Sequence, residues 1–240
     1  AATVSEITAR AITPAALEML DGSLLQMVEE AVHAGYPLDA AGVLLIELEG
    51  VREAVEEQTE KVRQVCETTH ARQVRVAQSE AERALLWKGR KNAFGAIGRV
   101  NPFFYVHDGV VPRTEIAPTL RRIGEIGARS GLQTGNIFHA GDGNLHPIIL
   151  FDARRAGELE KAQRAGFEIL EHCIAVGGSI TGEHGIGMEK VSLMEKQFSA
   201  ASLSMMHRIR ELFDSAGLFN PGKLLPGRKA CGELRQPPVI

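Results

Sequence analysis

The segment Asn136-Ile137-Phe138-His139-Ala140-Gly141-Asp142-Gly143-Asn144-Leu145-His146-Pro147-Ile148-Ile149-Leu150 constrains this chain most, because it sets two apolar runs on either side of an Asp-Gly pair. In one continuous strand, residues seven apart such as His139 and His146 face opposite sides of a sheet. In a helix they share a face but stand about 10 Å apart along the axis, too far for two bonds of about 2 Å to one ion. A two-residue hairpin loop at Asp142-Gly143, a preferred type I′ pair, removes the difficulty. Counting outward, it sets Gly141 opposite Asn144, Ala140 opposite Leu145 and His139 opposite His146. Directly opposed side chains have Cβ atoms about 5 Å apart, so both imidazoles can reach one divalent metal. The alternative is a surface hairpin that carries two unrelated histidines.

Such a hairpin needs a sheet around it. The first forty residues read as helical, with Pro14 opening a run through Leu20 and Ser23 capping a second helix over 24–34, before Gly35 and Pro37. A buried strand is expected over 43–49 and a helix over 52–70, with apolar positions at Val55, Val62 and Val65. A second strand follows over 74–78, and Ser79 with Glu82 has the capping-box spacing that opens a helix at Glu80. Further on, 103–106 is strand-like, and Pro112 leads into a helix over 115–129. Helices are also expected over 157–176 and 203–215. Strands alternating with helices in two similar halves predict an α+β fold, a mixed or antiparallel sheet with helices on one face, like a doubled ferredoxin-like unit. The corresponding division is a helical lead-in over 1–40, the α+β domain over 41–215 and a C-terminal segment over 216–240.

A core of that size is within reach, since 44% of the 240 residues are hydrophobic and 24% charged. The 27 basic and 30 acidic residues are mixed along the chain, giving a net charge of -3 and no electrostatic footprint for nucleic acid or acidic lipid. Cys66, Cys173 and Cys231 are few, distant and odd in number, which suits a reducing cytoplasm. No apolar run approaches the roughly 18 residues that span a bilayer. The chain starts at Ala1 without a methionine and ends in Gln236-Pro237-Pro238-Val239-Ile240, as a piece of something longer would.

A second motif, Gly177-Gly178-Ser179-Ile180-Thr181-Gly182-Glu183-His184-Gly185-Ile186-Gly187, has glycines on both sides of a carboxylate and an imidazole. Neighbours in an extended segment point in opposite directions. Glu183 can therefore complete a two-histidine, one-carboxylate metal site while His184 faces a substrate. Alternatively, Gly177-Gly178 merely ends a helix and leaves Glu183 and His184 in solvent. The motif lacks the strand-first glycine order of a dinucleotide fold and the lysine of a phosphate loop.

These two motifs, with Asp108-Gly109-Val110-Val111-Pro112-Arg113 and Phe219-Asn220-Pro221-Gly222-Lys223-Leu224-Leu225-Pro226, resemble the C-terminal domain of the FAD-linked 2-hydroxy acid oxidases and dehydrogenases of the vanillyl-alcohol oxidase superfamily. The resemblance implies that His139, His146 and Glu183 bind zinc or manganese and that His184 is the general base. Arg90, in Trp87-Lys88-Gly89-Arg90, or Arg113 would hold the substrate carboxylate, and Asn220, Lys223 and Gly185 would lie near the flavin. It implies transfer of a hydride to FAD held by an N-terminal domain outside this chain, which alone would be inactive. Val106 and Ile148 stand where dicarboxylate-oxidising relatives carry polar groups, so the implied substrate is a short 2-hydroxy monocarboxylate, glycolate or D-lactate. Implied partners are the FAD-binding domain of the same protein, other oxidase subunits including an iron–sulfur subunit that could bring the chain to a membrane surface, and a second copy in a homodimer. Two other readings of the residues are a self-contained metal hydrolase and a non-catalytic ferredoxin-like binding module.

Overall fold

The computed structural model describes residues 2–227. The chain forms two compact units, Ala1–Gly182 and Glu183–Ile240. The first contains α1 (Ala2–Ala9), β1 (Ala16–Asp21), α2 (Gly22–Val32), β2 (Gly42–Glu47), α3 (Arg52–Thr68), α4 (Glu80–Lys91), α5 (Ala93–Val100), β3 (Phe104–Val106), β4 (Gly109–Val110), α6 (Ile116–Ser130), β5 (Thr134–His139), β6 (Asn144–Leu145), β7 (Pro147–Leu150) and α7 (Glu158–Ala175). The second contains α8 (Met194–Gln197) and α9 (Ala200–Phe213).

The seven strands form one antiparallel sheet with the path β2-β1-β5-β6-β4, and β7 pairs with both β5 and β3. β6 and β7 are two parts of a single return strand, since Thr134↔Ile149 and His139↔Asn144 keep the same register across the break at His146. β3 and β4 are likewise one strand broken at His107 and Asp108, with Val106↔Ile148 and Gly109↔Leu145 in register. The α+β class with an antiparallel sheet is therefore as expected. The helices stand on both faces, a wider cover than the single layer expected. Phe138 packs with Val65, Ile123 and Ile169 of α3, α6 and α7. Its neighbour Ile137 packs with Leu24, Leu25 and Ile97 of α2 and α5. Side chains such as Ile137 and Ile148 are wholly buried, and each contributes about 1.5–3 kcal/mol.

Residues 16–21 form a strand rather than the expected helix. The run Leu17-Glu18-Met19-Leu20 is too short for periodicity to separate the two, and pairing with β2 on one side and β5 on the other decides it. The next helix then starts at Gly22, with Asp21 as its N-cap and Ser23 inside its first turn. β2 is half-exposed along its whole length rather than buried, because it is an edge strand with β1 as its one partner. No strand forms at 74–78. Glu82 accepts from Arg75 Nε and from the Gln78 N–H, which ties that segment to the start of α4. Ser79 Oγ caps the Glu82 N–H at 3.2 Å, as the spacing predicts.

In the second unit, Ser199 Oγ accepts from the Ser202 N–H and starts α9 three residues earlier than expected. Asp214 accepts from the N–H groups of Leu218 and Phe219 just beyond the helix. Cys66 and Cys173 are buried thiols, and burial pushes the Cys66 thiol above its usual range. Cys231 and the end of the expected C-terminal segment lie outside the described residues. Among the described residues no helix is long and apolar enough to cross a membrane.

Candidate metal centre

The histidine hairpin forms with a different register from the one expected. His139 is opposed by Asn144, not His146, and His146 lies two pairs further along, opposite Ile137, its carbonyl accepting from the Ile137 N–H. The loop therefore spans four residues, 140–143. The cause is β1, since the Leu17 carbonyl accepts from the N–H groups of Ala140 and Gly141 and draws them out of the hairpin ladder. At the tip, Asp142 Oδ1 accepts from the Asn144 N–H, and Gly143 takes a φ of +77° that a residue with a Cβ adopts only under strain.

Moving the register by two residues preserves the face, because side chains alternate with period two. His139 and His146 are thus diagonal neighbours on one face, close enough for ring side chains to meet. Their ring centroids stand 5.2 Å apart at 85°. His146 is buried and His139 about one-third exposed. Asn144 shares that face, and its buried Oδ1 accepts no hydrogen bond among the described residues. Two imidazoles beside an unsatisfied oxygen fit a cation site, since buried acceptors are almost always partnered.

Glu18 of β1, not anticipated from the sequence, stands against this pair in register with His139. Its Oε1 lies 2.6 Å from His139 Nδ1, and its Oε2 accepts from Arg90 Nε at 2.9 Å. Arg90 reaches that point because Gly89 lets α4 pack tightly on Tyr36, where an added Cβ would lie 2.5 Å from Tyr36 Cε2. Tyr36 donates its hydroxyl proton to the Leu86 carbonyl. Its burial, and secondarily the charge of Glu29, pushes its phenol up to about 12. On the opposite face of the sheet Asn136 donates to Asp21 at 2.8 Å, and burial holds the Asp21 carboxyl above the usual carboxylate range.

Asp108, fully buried, was also missed. It accepts from the Thr181 hydroxyl and from the Gly182 N–H at 3.0 Å. Gly182 packs on Asn144, where a Cβ would stand 2.5 Å from Asn144 Cγ. Gly182 is therefore held between Asp108 and Asn144. His107 was overlooked too. It is buried with its ring edge-on to Tyr105 at 4.7 Å, and Gly166 of α7 leaves the room it occupies.

Arg113, expected at the substrate carboxylate, donates to the Gly141 carbonyl at 3.2 Å and supports the histidine loop from outside. Within the second unit Glu183 and His184 are adjacent and exposed, with His184 Nε2 3.5 Å from Glu183 Oε1. Gly185 follows with a φ of +80°. Asn220 and Lys223 form an exposed turn in which Lys223 Nζ donates to Asn220 Oδ1 at 3.2 Å, while Arg210 donates to the Asn220 and Lys223 carbonyls.

The sequence matches the profile of FAD linked oxidases, C-terminal domain, over residues 1–224, and the chain belongs to that family. It is 46% identical to the glycolate oxidase subunit GlcD of Escherichia coli (strain K12) over 96% of the chain and 46% of that protein. It is 31% identical to the mitochondrial D-lactate dehydrogenase (cytochrome) of Arabidopsis thaliana over 88% of the chain and 37% of that protein. The chain thus spans less than half the length of these curated relatives. A crystal structure of p-cresol methylhydroxylase with substrate bound shares the fold at a TM-score of 0.68 and 14% identity, covering 92% of this chain and 50% of that one.

Proposed function

We propose that this chain is the substrate- and metal-binding part of an oxidase that converts a short 2-hydroxy monocarboxylate to its 2-oxo acid, with His139, His146 and Glu183 as ligands of zinc or manganese. The observation that carries the reading is the pair His139 and His146 on one face, 5.2 Å apart, beside the unsatisfied Oδ1 of Asn144. The trio offers two imidazole nitrogens and one carboxylate oxygen, a donor set suited to a catalytic divalent ion.

An alcohol hydroxyl is about 9 pKa units above an imidazole, a gap of about 12 kcal/mol that a histidine base cannot cross unaided. A divalent ion bound here supplies the Lewis acidity that brings such a hydroxyl to about 7. FAD, held elsewhere in the whole protein, supplies the two-electron acceptor. His184 then takes the hydroxyl proton, and Arg90 offers charge to the substrate carboxylate. Val106 and Ile148, paired across β3 and β7, are both apolar, which suits a short chain over a second carboxylate. Asn220, Lys223 and Gly185 belong to the flavin side of the reaction. Assembly with the FAD-binding domain and further oxidase subunits, an iron–sulfur subunit among them, completes the proposal, together with a homodimer and peripheral attachment to a membrane.

Elemental analysis of the chain and of His139→Ala, His146→Ala and Glu183→Ala tests the site. Loss of bound zinc or manganese is expected in each variant, and unchanged metal content in all three overturns it.

A further inference from the structure

Glu18 makes two contacts, one with each carboxylate oxygen, to His139 and to Arg90. Its side chain is 10% exposed and that of Arg90 12%, so the pair sits largely away from water. The carboxylate can only accept, which assigns the shared proton on one side to His139 Nδ1 and on the other to Arg90 Nε. A histidine that ligates through one nitrogen typically donates from the other to a carboxylate, fixing tautomer and ring angle. Arg90, in turn, lies in α4 beside Gly89, where the fit against Tyr36 holds the helix in place.

Resting on the metal reading above, we propose that Arg90 and Glu18 form a positioning relay behind His139. Arg90 holds one oxygen of Glu18, and the other oxygen holds the His139 ring with Nδ1 donating, so that Nε2 is the atom presented to a metal. Glu18 is then a positioning residue that no ligand touches, and Arg90 has a role that does not depend on a substrate carboxylate. Glu18 pairs with His139 across β1 and β5, while Arg90 arrives from a helix on the same face, so strand register and helix placement converge on one imidazole.

Two measurements on the 240-residue chain test this. In the metal-free protein, nitrogen-15 NMR of the His139 ring should report the Nδ1–H tautomer, and Glu18→Ala should abolish that preference. In Co²⁺ titrations, Glu18→Gln should weaken binding about tenfold and Glu18→Ala about 10–100-fold. Arg90→Gln should weaken it about tenfold through Glu18, whereas an arginine reserved for the substrate would leave Co²⁺ affinity unchanged. An Nε2–H tautomer at His139 in the wild type overturns the relay. So does wild-type Co²⁺ affinity in the Glu18 and Arg90 variants when His146→Ala has lost it. Equal Co²⁺ binding by wild type and His146→Ala would instead defeat the metal reading, and the tautomer would still decide what Glu18 does. Circular dichroism checks folding, and Glu18→Gln, which keeps the shape, stands in if Glu18→Ala unfolds.

Discussion

Replacing Gly143 by alanine perturbs the turn that carries the histidine pair without touching either ring. At a φ of +77° an L-residue with a Cβ costs about 1–2 kcal/mol. The new methyl would also overlap the Val111 carbonyl oxygen, a main-chain atom that cannot rotate aside. Relief requires the loop to move off β4, which strains the hydrogen bond from the Val111 N–H to the Gly143 carbonyl at 3.0 Å, worth about 0.5–1.5 kcal/mol. Overpacking of a closed site adds about 1–3 kcal/mol, so the whole loss should be about 3–6 kcal/mol. Gly124 is the matched control, since it lies exposed in the middle of α6 with nothing near its missing Cβ. Gly124→Ala should stabilise by about 0.5–1 kcal/mol. Urea unfolding followed by circular dichroism reads both, with the shift in midpoint at constant slope taken as the change in stability. A Gly143→Ala chain within about 0.5 kcal/mol of wild type would mean that the loop is not pinned against Val111.

Two further changes probe other parts of the sheet and its edges. Gly166→Ala puts a methyl of α7 onto the His107 ring and should cost about 1–3 kcal/mol by urea unfolding; no loss would show that His107 can leave its buried place freely. Asp152 accepts from the backbone and guanidinium of Arg154, which lowers its carboxyl to about 2. Because that value lies below the unfolded one of about 3.9, its contribution is complete at neutral pH and disappears as pH falls from about 4 toward about 2. Between those limits the thermal midpoint of the wild type should drop more steeply than that of Asp152→Asn, and parallel curves would refute the pairing.

The features legible in the sequence are those with a local cause. Ser79 and Glu82 mark the start of α4 by their spacing alone, and the α3 helix follows from Val55, Val62 and Val65. β1 is hard to read because a strand covered on both faces is largely apolar, so Glu18, the charged residue inside it, has no clear alternation to place it. Glu18 and Asp108 act on residues 121 and 74 positions away, His139 and Gly182, and no spacing rule reaches that far. Arg113 reads as a substrate cation from its motif, and its hydrogen bond to the Gly141 carbonyl, 28 positions away, is a contact that the motif does not announce.

The histidine pair shows how an incorrect count can still locate a site. Asp142-Gly143 predicts a two-residue loop, but the Leu17 carbonyl competes for the N–H groups of Ala140 and Gly141 and lengthens it to four. The His139 side of the hairpin therefore retreats by two residues while Asn144 still follows the loop, and the partner of His139 moves by two, from His146 to Asn144. A shift of one would have turned His146 to the opposite face, against Phe138 and α6. The even shift leaves both imidazoles on the face of Glu18 and Arg90 and exchanges a directly opposed pair for a diagonal one. What the turn chemistry determined was the parity of the hairpin. The loop length depended on β1, a strand more than a hundred residues away in sequence.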